Sequence, residues 1–250
     1  MTQTSPTSTG ANVLTPDTMM AIAMARLLRD GERVFHGVAS PLPMVAILLA
    51  QRLHAPNLVY INITGGINPH PESLPQTTVD PRLMHGSHVI FKLIDIFDLS
   101  ARGDLDTAFL GGVQIDAQGR INMSVIGPYD HPKVRLPGGA GSAAILPTAK
   151  RTILWRTKHD PRTFVEKLSF VTASGNVDRV VTPLCIFVKR NGHLQLESIH
   201  PYSSPEEVKQ QTGFPIETQG VPMTPLPSPK ELAALAEVDP NCVRLVEFKA

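Results

Sequence analysis

The first 66 residues alternate between helix-type and strand-type segments, and this order restricts the chain to few fold classes. Thr15-Pro16-Asp17 is typical of a helix start, with a hydroxyl N-cap, a proline in the first turn and a carboxylate near the positive end of the helix dipole. Pro56 cannot continue a helix, so the second helix must end before it. The predicted segments are a helix over 15–29, a strand over 33–38, a helix over 41–54 and a strand over 58–63.

A strand, helix, strand order predicts parallel strands joined by crossover helices. The segment 58–63 is mostly apolar, as expected of a strand that is covered on both faces. We therefore expect an α/β fold built on an open, mainly parallel sheet with crossover helices.

The later segments are predicted in the same way. A Ser204 to Glu207 capping box begins a helix that runs to about Gln211. The other predicted elements are a helix over 89–101, a strand over 107–110, a hairpin of 113–116 and 120–125, a loop over 128–147, strands over 152–155, 168–171, 184–188 and 194–197, a Pro-rich linker over 219–229 and a helix over 230–238.

The N-terminal residues 1–14 are rich in Thr and Ser and lack the basic start and apolar stretch of a signal peptide. They are predicted to be a disordered tail, and residues 15–250 are predicted to be a single domain.

Charge and composition exclude several classes of function. The net charge is +1 with no basic block, so neither nucleic acid nor a membrane surface is an expected partner. No apolar run approaches the roughly 20 residues that span a bilayer. The two cysteines, Cys185 and Cys242, do not make a disulfide framework, which favours a cytoplasmic location. Both are interpreted as small core residues.

Ligands of an open α/β sheet bind beyond the carboxyl ends of its strands. Three Gly-containing segments are expected there, at residues 37–41, 63–69 and 138–142. Glycines let backbone amides approach an anionic oxygen or a phosphate, although each Gly pair has the alternative of a plain tight turn. Neither GxGxxG, a P-loop nor a GxSxG elbow is present, so dinucleotide, P-loop and serine-hydrolase sites are not expected.

The nine histidines are scattered and show no metal-ligand spacing. His85 and His88 lack a third ligand nearby in sequence, so no metal site is expected.

Several segments that keep their order along the chain together resemble the beta subunit of family I CoA-transferases, the glutaconate CoA-transferase type. They are residues 37–41 (GVASP), 53–58 (LHAPNL), 109–116 (FLGGVQID), 119–122 (GRIN), 126–129 (IGPY), 131–133 (HPK), 138–141 (GGAG), 200–202 (HPY), 204–208 (SPEEV) and 212–214 (TGF).

The resemblance implies an open α/β fold, an alpha-type partner subunit in an α2β2 assembly, and an acyl-CoA substrate bound near the subunit interface. It implies no cofactor other than coenzyme A as part of the substrate. In the transferases a beta-subunit glutamate attacks the thioester. That glutamate lies seven residues after the proline of an Ala-Pro-Asp/Asn motif, with a glycine two residues beyond. Counting from Pro56 places Ile63 at this position, followed by Gly65.

An alkyl side chain has no lone pair and no proton to exchange, so Ile63 can neither attack a thioester nor act as an acid or base. A shift of one residue gives Asn62 or Thr64, which are candidates but are not carboxylates. The first downstream carboxylate, Glu72, is interpreted as a solvent-facing charge. The catalytic residue is therefore unknown, and CoA transfer through a glutamate of this chain is not expected.

The resemblance extends to two branches of the family that lack the glutamate. One is a decarboxylase group with a cysteine at this position, and the other is a hydrolase group that opens a ring in steroid-derived CoA esters with an alpha-subunit carboxylate. The resemblance, together with glycine geometry, assigns substrate or CoA contacts to Gly65, Gly66, Gly138, Gly139, Ala140, Gly141 and Ser142.

Three functional hypotheses remain open. In the first, an αβ enzyme hydrolyses or decarboxylates an acyl-CoA with an acid or base from the alpha subunit. In the second, this chain is a non-catalytic structural subunit. In the third, CoA transfer proceeds through a carboxylate of the partner.

Overall fold

The computed structural model describes residues 14–249. The predicted tail over 1–14 therefore lies outside the described residues, except for Leu14. The helices are α1 (Pro16–Arg26), α2 (Pro41–Leu53), α3 (Leu93–Ala101), α4 (Ser142–Thr148), α5 (Pro205–Gln211) and α6 (Pro229–Val238). Two 3-10 helices cover Pro81–Met84 and Val243–Phe248, and we refer to the second as the terminal 3-10 helix.

Thirteen short strands lie within the described residues. They are β1 (Arg33–His36), β2 (Val59–Ile61), β3 (Gly66–Ile67), β4 (Val89–Ile90), β5 (Thr107–Gly111), β6 (Gln114–Ile115), β7 (Ile121–Asn122), β8 (Val125–Ile126), β9 (Val134–Arg135), β10 (Arg151–Trp155), β11 (Val177–Val181), β12 (Cys185–Arg190) and β13 (His193–Ile199).

Nine of these strands form one sheet in the order β13-β12-β11-β10-β5-β1-β2-β3-β4. The five central strands, from β11 to β2, are parallel. Antiparallel strands flank them on both sides. The predicted α/β fold with an open, mainly parallel sheet is confirmed.

Two apolar clusters cover the two faces of this sheet. Side chains alternate between the faces along each strand, so Val34 of β1 lies in one cluster and Phe35 in the other. The first cluster contains α1, α2 and part of α6. The second contains residues of α3, α4 and the hairpin. The two clusters cover the faces of the sheet, and the ends of its strands lie outside them.

Helix α1 is buried on nearly all sides, with residues 19–25 at most 1% exposed. Asp17 in its first turn accepts from Arg244 Nε at 2.8 Å, and Arg244 also pairs with Asp239 at 2.9 Å. The C-terminal segment is thereby held against the first helix of the chain.

Most predicted elements are confirmed to within a few residues, and three predictions are wrong. The helix over 89–101 begins only at Leu93, because Val89 and Ile90 pair with β3 as an edge strand. The predicted loop over 128–147 contains β9 and all of α4 except its last residue. No strand forms over 168–171, while the strand β11 was not predicted.

Other local predictions agree with the structure. The Ser204 hydroxyl accepts from Glu207 N at 3.1 Å and begins α5, although only this half of the predicted capping box forms. The hairpin of β6 and β7 is antiparallel. Within residues 14–249, no helix combines the length and the apolar character needed to cross a membrane.

Candidate functional site

The five parallel strands end at one edge of the sheet, which we call the carboxyl edge. The last residues of these strands are His36, Ile61, Gly111, Trp155 and Val181. Turns following β1, β2, β5 and β10 therefore lie side by side, as expected of a ligand site in this class of fold.

The turn after β2 is organised by Asn62, which is fully buried. Its side-chain oxygen accepts from the Thr64 hydroxyl and from the amides of Thr64 at 3.0 Å and Gly66 at 3.4 Å. Its side-chain nitrogen donates to Leu83 O at 2.9 Å. Asn62 and Thr64 are thus hydrogen-bonded to each other. A catalytic role for either residue stays a prediction.

Ile63 lies between these two residues and is half-buried. Its side chain packs against the second apolar cluster, as do those of Phe91 and Phe97. The position predicted for a nucleophile is therefore occupied by a side chain that contributes to the core.

Gly65 and Gly66 are buried and lie against the backbone of their own chain. Gly65 has a φ of +103°, and a Cβ added there would lie 2.3 Å from Phe91 O. A Cβ on Gly66 would lie 2.3 Å from Leu83 O. Close packing within the chain accounts for both glycines, and their contact with a substrate stays a prediction.

The loop over 138–142 offers free backbone amides. Gly138 N donates to Met123 O at 2.8 Å, and Ser142 donates to Gly139 O from both its amide, at 2.8 Å, and its hydroxyl, at 2.5 Å. The amides of Gly139, Ala140 and Gly141 have no acceptor among residues 14–249. Three consecutive donors in a partly exposed loop are available to a ligand oxygen.

A single segment at the start of α3 connects the two Gly-rich regions. Phe91 N donates to Gly65 O at 2.9 Å, and a Cβ on Gly141 would lie 3.1 Å from the Phe97 ring. The turn after β2 and the 138–142 loop, which the sequence placed at one site, therefore share residues 91–97 as a neighbour, a contact that the sequence did not indicate.

The turn after β1 depends on a buried pair that sequence reasoning missed. His36 Nε2 lies 2.5 Å from the Tyr60 hydroxyl, and His36 Nδ1 lies 3.0 Å from Gly37 O. Burial lowers the pKa of His36 to about 4, so the ring is neutral at pH 7. Nδ1–H then donates to Gly37 O, and the Tyr60 hydroxyl donates to Nε2. A histidine at the carboxyl end of an apolar strand was the signal available in the sequence.

Thr78 completes this turn from a distant loop. Its hydroxyl donates to Gly37 O at 3.2 Å and accepts from Ser40 N at 3.3 Å. Thr78 is fully buried, and nothing in its local sequence identifies it.

The first turn of α2 has no free amide to offer a ligand. Pro41 and Pro43 carry no N–H, and Leu42 N donates to Glu247 Oε2 at 2.9 Å. Glu247 reaches this position from the terminal 3-10 helix, and Thr157 Oγ1 donates to its backbone oxygen at 3.0 Å. Burial raises the pKa of the Glu247 carboxyl to about 7.

The remaining histidines and cysteines lie elsewhere. No three His, Cys, Asp or Glu side chains in the described part of the chain are placed to hold a metal ion. Cys185 is buried in the core, where burial raises the pKa of its thiol to about 12. Cys242 is exposed, so the prediction of a core residue was wrong for this cysteine.

Comparison with known proteins identifies relatives along almost the whole chain. The coenzyme A transferase family model matches residues 17–211. The B-type subunit of 3-oxoadipate CoA-transferase from Pseudomonas knackmussii is 34% identical over 241 residues, covering 88% of this chain and 92% of the relative. The B-type subunit of glutaconate CoA-transferase from Acidaminococcus fermentans is 29% identical over 248 residues, with 89% and 92% coverage.

A comparison with solved structures leads to the same family. The crystal structure of the decarboxylase AibA/AibB superposes with a TM-score of 0.88 at 30% identity, covering 94% of this chain and 99% of that chain. The resemblance found in the sequence is confirmed.

Proposed function

Because this chain belongs to the coenzyme A transferase family and matches B-type subunits over most of its length, we propose that it acts with an A-type partner on an acyl-CoA thioester. The proposed reaction is hydrolysis or carbon–carbon cleavage such as decarboxylation. In this proposal the acid or base comes from the partner, and this chain supplies backbone donors.

The observation that carries the proposal is Ile63 in the turn after β2. An isoleucine cannot form the acyl anhydride that CoA transfer through a side-chain carboxylate requires. No other carboxylate of the described residues replaces it in this turn, since Glu72 is exposed and follows nine residues later. Covalent CoA transfer through this chain is therefore not supported.

The free amides of the 138–142 loop are an argument for a catalytic role of this chain. Backbone amides that already point at the place where negative charge develops stabilise it without reorganisation. In this proposal the unpaired amides of Gly139, Ala140 and Gly141 donate to a thioester carbonyl oxygen or to the pantetheine of CoA.

An exposed apolar surface next to the site supports the proposed partner. Val89, Ile90, Leu93 and Ile94 are between 52% and 62% exposed, and we call them the apolar edge surface. They flank Phe91, which packs on Gly65 at the carboxyl edge. Val89 and Ile90 lie on the edge strand β4 and Leu93 and Ile94 begin α3, and contiguous exposed apolar groups of this kind are typical of an interface. The structural relative AibA/AibB is itself named for two components.

CoA transfer with a carboxylate of the partner remains a second candidate. It is favoured by the 34% identity to the B-type chain of 3-oxoadipate CoA-transferase. A non-catalytic structural role is the third candidate, and it makes no use of the free amides of the 138–142 loop.

A product assay on the complex with the A-type partner separates the candidates. CoA thioesters are supplied with and without a second carboxylic acid, and free thiol, carbon dioxide and new thioester are measured. We expect thiol or carbon dioxide to be released without the second acid. Turnover that requires the second acid would replace our proposal with CoA transfer.

A further inference from the structure

Arg156 is the first residue after β10 at the carboxyl edge. Trp155, the residue before it, pairs with Gly111 of β5, and Arg156 N donates to Val181 O of β11 at 3.2 Å. The backbone of Arg156 is thus fixed between the ends of two neighbouring strands. Arg156 therefore lies in the turn after β10, in the same row of turns as the candidate site.

The guanidinium of Arg156 has no partner among residues 14–249. Its Nε is buried without an acceptor, and no carboxylate of these residues lies within 4.0 Å of its nitrogens. Six other arginines of the described chain are half-buried and each forms an ion pair: Arg26, Arg33, Arg120, Arg151, Arg179 and Arg244. Arg156 is the exception to this pattern.

The nearest acidic groups do not neutralise this side chain by contact. Glu247 and Asp160 both act to raise the pKa of Arg156, but burial outweighs them and lowers it. Asp160 instead accepts from Arg162 and Thr163, and Glu247 accepts from Leu42 N. A buried donor without an acceptor costs free energy, so such a group calls for an explanation.

The two terminal nitrogens of Arg156 are not among the buried unpaired atoms and keep access to solvent. A planar guanidinium with one buried and two accessible nitrogens presents a fork suited to a carboxylate or a phosphate. The missing partner of this guanidinium is therefore an anion from outside the chain.

We propose that Arg156 binds an anionic oxygen group of the acyl-CoA substrate, either a carboxylate on the acyl group or a phosphate of CoA. This inference rests on the proposed function. In the sheet, β10 is three strands away from β2, a separation of about 14 Å at the usual strand spacing. Arg156 therefore contacts a part of the substrate that is remote from the turn carrying Ile63, and it acts in recognition.

Calorimetric titration of the complex with its A-type partner tests this inference. The ligands are CoA and two hydrolysis-resistant thioether analogues, S-hexyl-CoA and S-(5-carboxypentyl)-CoA, which differ by a terminal carboxylate. The variants are Arg156→Gln and Arg156→Lys. Arg162→Gln is the matched control, because the Arg162 side chain is 93% exposed.

We expect Arg156→Gln to raise the Kd by about tenfold to a hundredfold, the usual worth of a charge-assisted bond, and Arg156→Lys to raise it less. A loss confined to the carboxylated analogue identifies the acyl carboxylate, and an equal loss for all three ligands identifies a CoA phosphate. Changes below twofold for every ligand, with wild-type binding intact, would overturn the inference alone. Absence of binding by the wild-type complex would overturn the proposed function as well.

Discussion

The side-chain amide of Asn62 donates to the Leu83 carbonyl at 2.9 Å, and this bond ties the turn that carries Ile63 to the 3-10 helix Pro81–Met84. The other end of the same side chain accepts from Thr64 and Gly66. The buried side chain of Asn62 thus fixes the turn in which Ile63 stands at the position of the nucleophile.

Replacing Asn62 by Ala is expected to destabilise the chain by about 2–4 kcal/mol, because several hydrogen bonds are lost and the buried Leu83 carbonyl is left without its donor. The free energy of unfolding from urea titration measures this loss. Asn241→Ala, at an exposed position, is the control and should change stability by less than about 0.5 kcal/mol. Equal effects of the two substitutions would contradict the role given to Asn62.

Replacing Gly141 by Val is expected to lower turnover at least tenfold while the complex still assembles. A Cβ there meets the Phe97 ring at 3.1 Å, and the two methyl groups of valine extend further towards it, so we expect the loop and its free amides to be displaced. Steady-state kinetics and size-exclusion chromatography make the two measurements. Ala101→Val, at the exposed end of α3, should leave both unchanged. Normal kinetics for Gly141→Val would favour a structural role for this chain.

Replacing Ile94 by Glu is expected to prevent association with the A-type partner, because it places a charge in the apolar edge surface. Ile94 is 60% exposed, so the isolated chain should keep its fold. Co-purification from a common expression host measures the association. Leu226→Glu, at a residue that is 66% exposed on another part of the surface, is the matched control. Recovery of an intact complex with Ile94→Glu would show that the partner binds elsewhere.

Glu247 predicts a specific dependence of stability on pH. Burial raises the pKa of this carboxyl from 4.5 to about 7, so between these values the folded chain holds a proton that the unfolded chain has lost. Its favourable contribution is therefore present at low pH and is lost as the pH rises from 4.5 through 7. Replacing it by Gln removes the effect and should stabilise the chain at pH 8 by about 1–3 kcal/mol.

The comparison of wild type with Glu247→Gln is necessary because buried histidines act in the opposite direction. Burial lowers the pKa of His36 and His200 to about 4 and of His159 to about 3, so their contribution is lost as the pH falls below 6.5. Only the difference between the two unfolding curves isolates Glu247. A difference that does not vary between pH 4.5 and 8 would contradict the raised pKa.

Much of this molecule was predictable because its signals are local. A hydroxyl residue followed by proline marked the starts of α1 and α5, and apolar runs leading into glycine marked the strands β1, β2 and β5. Counting from Pro56 identified position 63 without a structure. The strand β11 was missed because Asp178 and Arg179 interrupt its apolar pattern. Residues 168–171 were assigned to a strand because three of the four are apolar, but they lie in a loop.

The features that the sequence did not predict depend on contacts between distant segments. Thr78 reaches Gly37 across 41 positions, and Glu247 reaches Leu42 across 205. The isolation of Arg156 is likewise a property of its surroundings, since its sequence neighbourhood resembles that of any strand end. Such roles arise from tertiary packing, and a single sequence carries no local pattern for them.

The central claim is that no covalent CoA intermediate forms on this chain, because position 63 is an isoleucine. Its most direct test incubates the complex with an acyl-CoA, reduces any glutamyl thioester with borohydride, and measures the intact mass of each subunit. We predict an unmodified mass for this chain, whether or not the partner is modified. A glutamate of this chain reduced to its alcohol with release of CoA, at Glu72 or at any other carboxylate, would contradict the claim.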